Sequence, residues 1–214
     1  MKLGLAVALA TWYNDYKNTE GIFIMAIYFI SDSHFGHKGI IKYSNRPFEN
    51  VEDMNKTLIT NWNARVKPKD TLYILGDVCF GYSDKESELL LKSLSGVKHL
   101  IIGNHDRSYL EYPEFKNCFA SIQDTLTITM APYRIVMNHY PIAEWDGFFR
   151  GNHHIYGHIH DKVNTVAPYM AQFETALNAS VEVIGYQPVT IHELISYNNI
   201  WKQNVLSRLQ KERK

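Results

Sequence analysis

Five short apolar runs in this chain each end abruptly in Asp, Asn or His, and that pattern constrains the fold more than any other feature. Ile27-Tyr28-Phe29-Ile30 leads to Asp32-Ser33-His34, and Leu72-Tyr73-Ile74-Leu75 leads to Gly76-Asp77. Leu100-Ile101-Ile102 leads to Gly103-Asn104-His105-Asp106, Ile135-Val136-Met137 to Asn138-His139, and Ile155-Tyr156 to Gly157-His158-Ile159-His160. Charge-free runs of this length, rich in β-branched and aromatic residues, read as strands buried on both faces, so the polar residues sit at strand ends. Singly, each tip is weak: Asp, Asn and Gly are ordinary turn residues, and an isolated histidine is more often structural. Convergence of five such tips is what a site requires.

The segments between the runs read as helices and a second group of strands. Residues 50–66 carry Val51, Met54, Leu58, Ile59, Trp62 and Val66 at three- and four-residue steps, with Asn50 and Asp53 resembling a capping box. Ser83 with Glu86 caps a second helix, whose Leu89, Leu90, Leu91 and Leu94 precede Gly96. Strand-helix units in this order predict right-handed crossovers and a largely parallel sheet. Residues 120–122, 125–129 and 133–137 are short and alternating, with Ala131-Pro132 as a turn, and predict antiparallel pairs of a second sheet. Residues 161–173 lack a period and read as a loop near the tips. Residues 177–181 read as a late strand, and a final helix starts at about His192.

The order D-x-H, G-D, G-N-H-D, N-H, G-H-x-H resembles the calcineurin-like metallophosphoesterase superfamily from Met25 onward, with every metal-ligand position filled. The resemblance implies a four-layer α/β/β/α sandwich of two mixed sheets. It also implies two divalent metal ions and hydrolysis of a phosphate ester by in-line attack of a hydroxide shared between them. Residue by residue, it makes Asp77 the bridging carboxylate. Asp32, His34 and His160 would complete one metal, and Asn104, His139 and His158 the other. His105 matches the family's histidine that contacts the phosphate and protonates the leaving oxygen, with Asp106 either orienting it or capping the turn. Mixed oxygen and imidazole donors suit manganese first, then iron, zinc or nickel.

Further residues fall outside that pattern. Arg46 is either a bidentate phosphate grip or half of a surface ion pair. His37 is expected to contact substrate or to flank the ligands, since other positions already complete a site. His99 reads as structural, His153 and His154 as neighbours of the last motif or loop residues, and Trp145 and Arg150 as either a substrate rim or ordinary exposed side chains. Serine/threonine protein phosphatases carry an Asp-Arg pair after the bridging aspartate and an arginine before Gly-Asn-His. Here Phe80-Gly81 and Ile102 stand there, which argues against that activity. The Asp-x-His-Phe-Gly-His opening is similar to compact bacterial or phage phosphoesterases. That resemblance implies a small phosphodiester or a nucleotide-like phosphomonoester as substrate. The alternatives are a DNA or RNA exonuclease, or a binding scaffold of the same fold like the retromer subunit that has lost part of its metal chemistry. A complete ligand set argues against the scaffold.

Lys+Arg and Asp+Glu balance at 22 each, so no overall basic field draws the chain onto nucleic acid. Charged residues at 21% and hydrophobic residues at 45% describe a globular chain without a membrane span. Two cysteines, Cys79 and Cys118, fit a reducing compartment and a cytoplasmic location. Residues 25–214 read as one domain. Residues 1–24 contain a short apolar run ending in an A-x-A pattern. We read them as an extension from an upstream start codon rather than a secretory signal, because the apolar run is short and carries a single charge. Oligomeric state is left open.

Overall fold

The computed structural model describes residues 25–163 and 166–212; the expected extension over residues 1–24 lies outside them. Two four-stranded sheets carry the chain. The first has the order β1 (Ile27–Ile30), β2 (Thr71–Ile74), β3 (Val97–Ile101), β4 (Ser121–Gln123), and all of its pairings are parallel. The second is mixed. β5 (Thr125–Met130) and β6 (Tyr133–Asn138) form an antiparallel hairpin, while β6, β7 (His153–Tyr156) and β8 (Ala176–Asn178) run parallel. This is the expected α/β architecture, with mixing confined to one sheet.

The helices are α1 (Lys38–Tyr43), α2 (Val51–Arg65), α3 (Asp84–Ser93), α4 (Pro113–Lys116), α5 (Ala167–Met170), α6 (Val181–Ile184) and α7 (Ile191–Glu212). Asn50 accepts from Asp53 N at 2.8 Å at the start of α2, and Ser83 with Glu86 forms a reciprocal capping box on α3. The stripe Met54, Leu58, Trp62 of α2 is buried, and Trp62 Nε1 donates to Ser95 O, tying the helix to the turn before β3. α7 packs on β1 and β8. No helix of the described residues is long and apolar enough to cross a membrane.

Two sequence expectations are corrected. Residues 121–123 join the first sheet beside β3, in the register His99↔Ser121, rather than pairing antiparallel in the second. Alternation marks a half-buried strand but carries no direction, and the turn of helix in α4 supplies the crossover that a parallel neighbour needs. The stretch expected to be an irregular loop contains α5, a single short turn too brief for a period to be read.

The two sheets are joined where the tips lie. Ser31, just past β1, bridges in parallel to Ser180, just past β8, with Ser31 N donating to Ala179 O and Val181 N to Ser31 O. Because neighbouring strands run parallel, the ends of β1, β2 and β3 share one edge, and so do those of β6, β7 and β8. Ligands of open α/β sheets bind outside the carboxyl ends of strands, and here two such edges meet.

Candidate metal centre

The backbone at these tips is bent into a conformation that side-chain-bearing residues rarely adopt. Asp32 (φ 56°), His34 (51°), Asp77 (54°), His158 (69°) and His160 (52°) all lie in the left-handed region. Such residues cost energy and persist only where their surroundings hold them. Asp106 supplies much of that hold. Its buried carboxylate accepts from Gly103 N at 2.7 Å and from Asp77 N and Val78 N at 2.9 Å each. Asp32 is held likewise by His158 N and by Ser180 Oγ at 2.8 Å. Gly157 makes the close approach possible: a Cβ there would overlap Ser31 Oγ and Asp32 Oδ2.

These turns bring the side chains together in three overlapping groups: Asp32, His34 and His160; His34, Asp77 and His105; and Asp77, His139 and His158. Within each group the potential ligand atoms lie within 4.8 Å of one another. Asp77 Oδ2 occupies the middle, 3.6 Å from His34 Nε2 and 3.6 Å from His139 Nε2. Asn104 Oδ1 lies 3.1 Å from His139 Nε2 and 3.0 Å from His158 Nδ1. His105 Nε2 stands 4.0 Å from Asp77 Oδ2, on the more open side. The cleft above has a volume of about 500 Å³.

The hydrogen bonds set the tautomers. A carbonyl only accepts, so His139 Nδ1 carries the proton that it donates to Leu75 O at 2.7 Å, and Nε2 is the nitrogen that faces Asp77. Likewise His160 Nδ1 donates to Glu182 Oε1 at 2.9 Å, and its Nε2 faces Asp32. Among the described residues the buried His34 Nε2 has no hydrogen-bond partner, an expensive arrangement unless something else takes its lone pair. Burial pushes the pKa of His34 down to about 2, so the ring is neutral. Burial opposes ionisation of Asp32 too, but the attraction of neighbouring histidines, His139 and His160 foremost, outweighs it and brings this carboxyl to about 2. Asp77 is pushed up to about 6, chiefly by burial and despite His139. Imidazole nitrogens facing two carboxylates and the Asn104 amide oxygen form a donor set that fits divalent cations.

The model of the calcineurin-like phosphoesterases matches residues 25–168. The chain belongs to this family. Members act on phosphoesters with divalent metal ions, and this chain is, in general terms, a metal-dependent phosphoesterase and a hydrolase. It is 38% identical over 174 residues to the uncharacterised protein MJ1445 of Methanocaldococcus jannaschii, covering 79% of this chain and 89% of that one. It is also 37% identical over 81 residues to the gene 66 protein of Mycobacterium phage L5, 37% of this chain and 39% of that one. Among solved structures, the Aquifex aeolicus protein of unknown function AQ665 is 29% identical with a TM-score of 0.65, covering 81% of this chain and all but 1% of its own (99%).

Of the residues singled out on the resemblance to calcineurin-like phosphoesterases, Asp32, His34, Asp77, Asn104, His105, His139, His158 and His160 all come together here. His37 lines the cleft, 3.4 Å from His34 through their Nδ1 atoms and stacked on Phe80 with ring centroids 4.1 Å apart. Arg46 is not at the surface at all. Its guanidinium is fully buried, pairing with Glu182 and donating to Asp32 O at 2.7 Å and Ser33 O at 2.9 Å. It therefore braces the first motif from beneath and is closed to a phosphate in the cleft. Trp145 is buried and donates to Asn152 O, while Arg150 pairs with Asp146 on the surface. His154 lies within β7, donating to Val136 O and accepting from Ile142 N, and His99 stays structural beside Ser121.

Glu182, Ser180 and the Tyr43–Lys162 pair at the cleft's end escaped the sequence reading. A lone acid in the apolar run Val181-Glu182-Val183-Ile184 was the one available signal for Glu182. Lys162 and Tyr43 gave none, since nothing local joins residues so far apart.

Proposed function

We propose that the protein hydrolyses a small phosphodiester or a nucleotide-like phosphomonoester at a dinuclear centre, with manganese as the preferred ion. Asp77 would be shared by two metal positions, one completed by Asp32, His34 and His160 and the other by Asn104, His139 and His158. The observation that carries this reading is the placement of Asp77 Oδ2 midway between His34 Nε2 and His139 Nε2, at 3.6 Å from each. Two divalent ions so held supply the positive charge that a phosphate ester needs and make water a nucleophile at neutral pH.

The chain's own residues do the rest. The carboxylates and imidazoles fix the ion positions through hydrogen bonds formed before any ligand arrives, so little reorganisation accompanies reaction. His105 is tied down through its backbone N, which donates to Asp77 Oδ1 at 2.9 Å, while its side chain remains 36% exposed toward the cleft. As the water oxygen adds to phosphorus and the ester P–O bond breaks, His105 Nε2 would give its proton to the departing oxygen. A purely binding role needs no such complete donor set.

The test is hydrolysis of bis(p-nitrophenyl) phosphate beside p-nitrophenyl phosphate, using metal-stripped protein with and without manganese. Metal-restored turnover is expected, and the ratio of the two rates assigns diester or monoester preference. Folded protein that turns over neither compound with any divalent metal would refute the reading.

A further inference from the structure

The cleft extends well beyond the metal centre. Besides the buried Asp77, its lining takes in Gly39 and Ile40 of α1 and Ile159. It also takes in the exposed Tyr43, the last residue of α1, and Lys162, whose Nζ lies over the Tyr43 ring 2.8 Å from its centroid. The volume of about 500 Å³ suits a whole small-molecule ligand, far more than a phosphate group alone.

Charge at that end is uncompensated. Arg46 is consumed by Glu182, and Lys162 forms no ion pair with any carboxylate of the described residues. Lys162 is the ammonium of the cleft lining, and its contact with an exposed ring is weaker than a charge-assisted hydrogen bond to an anion. An arriving phosphate would draw Lys162 off the ring, and Tyr43, 69% exposed, would then offer its face to a flat group. Aromatic faces of this kind stack nucleobases with little regard to identity. The lining of the cleft also includes Gly39, Ile40 and Ile159, none of which carries a charge.

We infer that Tyr43 and Lys162 form a nucleotide subsite, selecting phosphodiesters whose nucleoside stacks on Tyr43 and bears a terminal phosphate bound by Lys162. The inference rests on the phosphoesterase reading and names the substrate class for the same site. It adds no new chemical step, since the bond broken is still the ester bond at the metal centre.

Three substrates separate the possibilities with metal-loaded full-length protein: bis(p-nitrophenyl) phosphate, the dinucleotide ApA, and its 5′-phosphorylated form pApA. Wild-type protein is expected to show a KM for pApA about tenfold below that for ApA, the factor that one charge-assisted hydrogen bond provides. In Lys162→Gln the pApA-to-ApA preference is expected to vanish. In Tyr43→Ala the KM of both dinucleotides should rise relative to bis(p-nitrophenyl) phosphate, and Tyr43→Phe should restore it. Both side chains lie at the surface end of the cleft, and unchanged melting temperatures check that the variants are folded. Turnover of bis(p-nitrophenyl) phosphate with equal KM for ApA and pApA overturns the subsite alone, as does a preference that survives in Lys162→Gln. Failure to turn over bis(p-nitrophenyl) phosphate overturns the phosphoesterase reading and the subsite with it.

Discussion

Glu182 Oε1 sits 2.9 Å from both His160 Nδ1 and Arg46 Nε, with the carboxylate almost fully buried. A carboxylate behind an imidazole fixes its tautomer and raises the basicity of the other nitrogen, so Glu182→Gln is expected to weaken one of two metal-binding events about 10–100-fold. Calorimetric titration with manganese checks this; two events of unaltered affinity would show that Glu182 only anchors Arg46. His105→Ala is expected to behave in the opposite way, keeping both metal-binding events but losing about 10²–10⁴-fold in rate, most for leaving groups that need a proton. Loss of metal in that variant would make His105 a ligand instead. Residues of this kind differ in how legible they are. The candidate ligands sit at short spacings after strands, so the sequence displays their clustering. Arg46 and Glu182 are 136 positions apart, and only tertiary burial turns them into a pair. A guanidinium near a motif therefore read as either a phosphate grip or a surface ion pair, whereas it is buried against Glu182 beneath the first motif.

At the level of elements, what matters is that strand ends from both sheets come within reach of each other, and Gly157 governs one of these contacts. Past β7 the chain turns so tightly that His158 N donates to both carboxylate oxygens of Asp32, the aspartate that follows β1. Gly157→Ala would drive a methyl group against Ser31 Oγ and Asp32 Oδ2, at the bridge that links Ser31 to Ser180. Relief requires moving backbone, as with other overpacked core positions, so a loss of about 1–3 kcal/mol in urea unfolding is expected, with metal binding lost as well. Full stability with full metal affinity would mean that the turn yields easily. The sequence foretold these strand-tip contacts because apolar runs and caps are local signals. It misplaced β4 because its neighbour in the sheet is chosen by the crossover through α4, which periodicity does not encode.

Across the whole molecule, the candidate centre lies on the seam between two sheets, where bound ions would hold the halves together. β1, β2 and β3 lead into Asp32, Asp77 and Asn104, while β6 and β7 lead into His139, His158 and His160. Without ions this seam keeps costs that the rest of the fold must carry: left-handed backbone at Asp32, His34, Asp77, His158 and His160, and a buried His34 Nε2 with no hydrogen-bond partner among the described residues. A ligand that binds only the folded state stabilises it by mass action, about 2.7 kcal/mol per site at a hundredfold excess over Kd. For a domain of this size that is on the order of 5–10 °C in Tm per site. Removing metal should therefore lower Tm, and manganese should restore it in proportion to the logarithm of its concentration. If both metal positions share Asp77, as proposed, Asp77→Asn is expected to abolish most of the rise from both and to remove turnover. A lone site would lose only its own share, so the size of the remaining shift counts the positions that Asp77 serves. If the variant gained as much from manganese as the wild type does, Asp77 would not be the shared ligand, and the two halves of the seam would bind their ions independently.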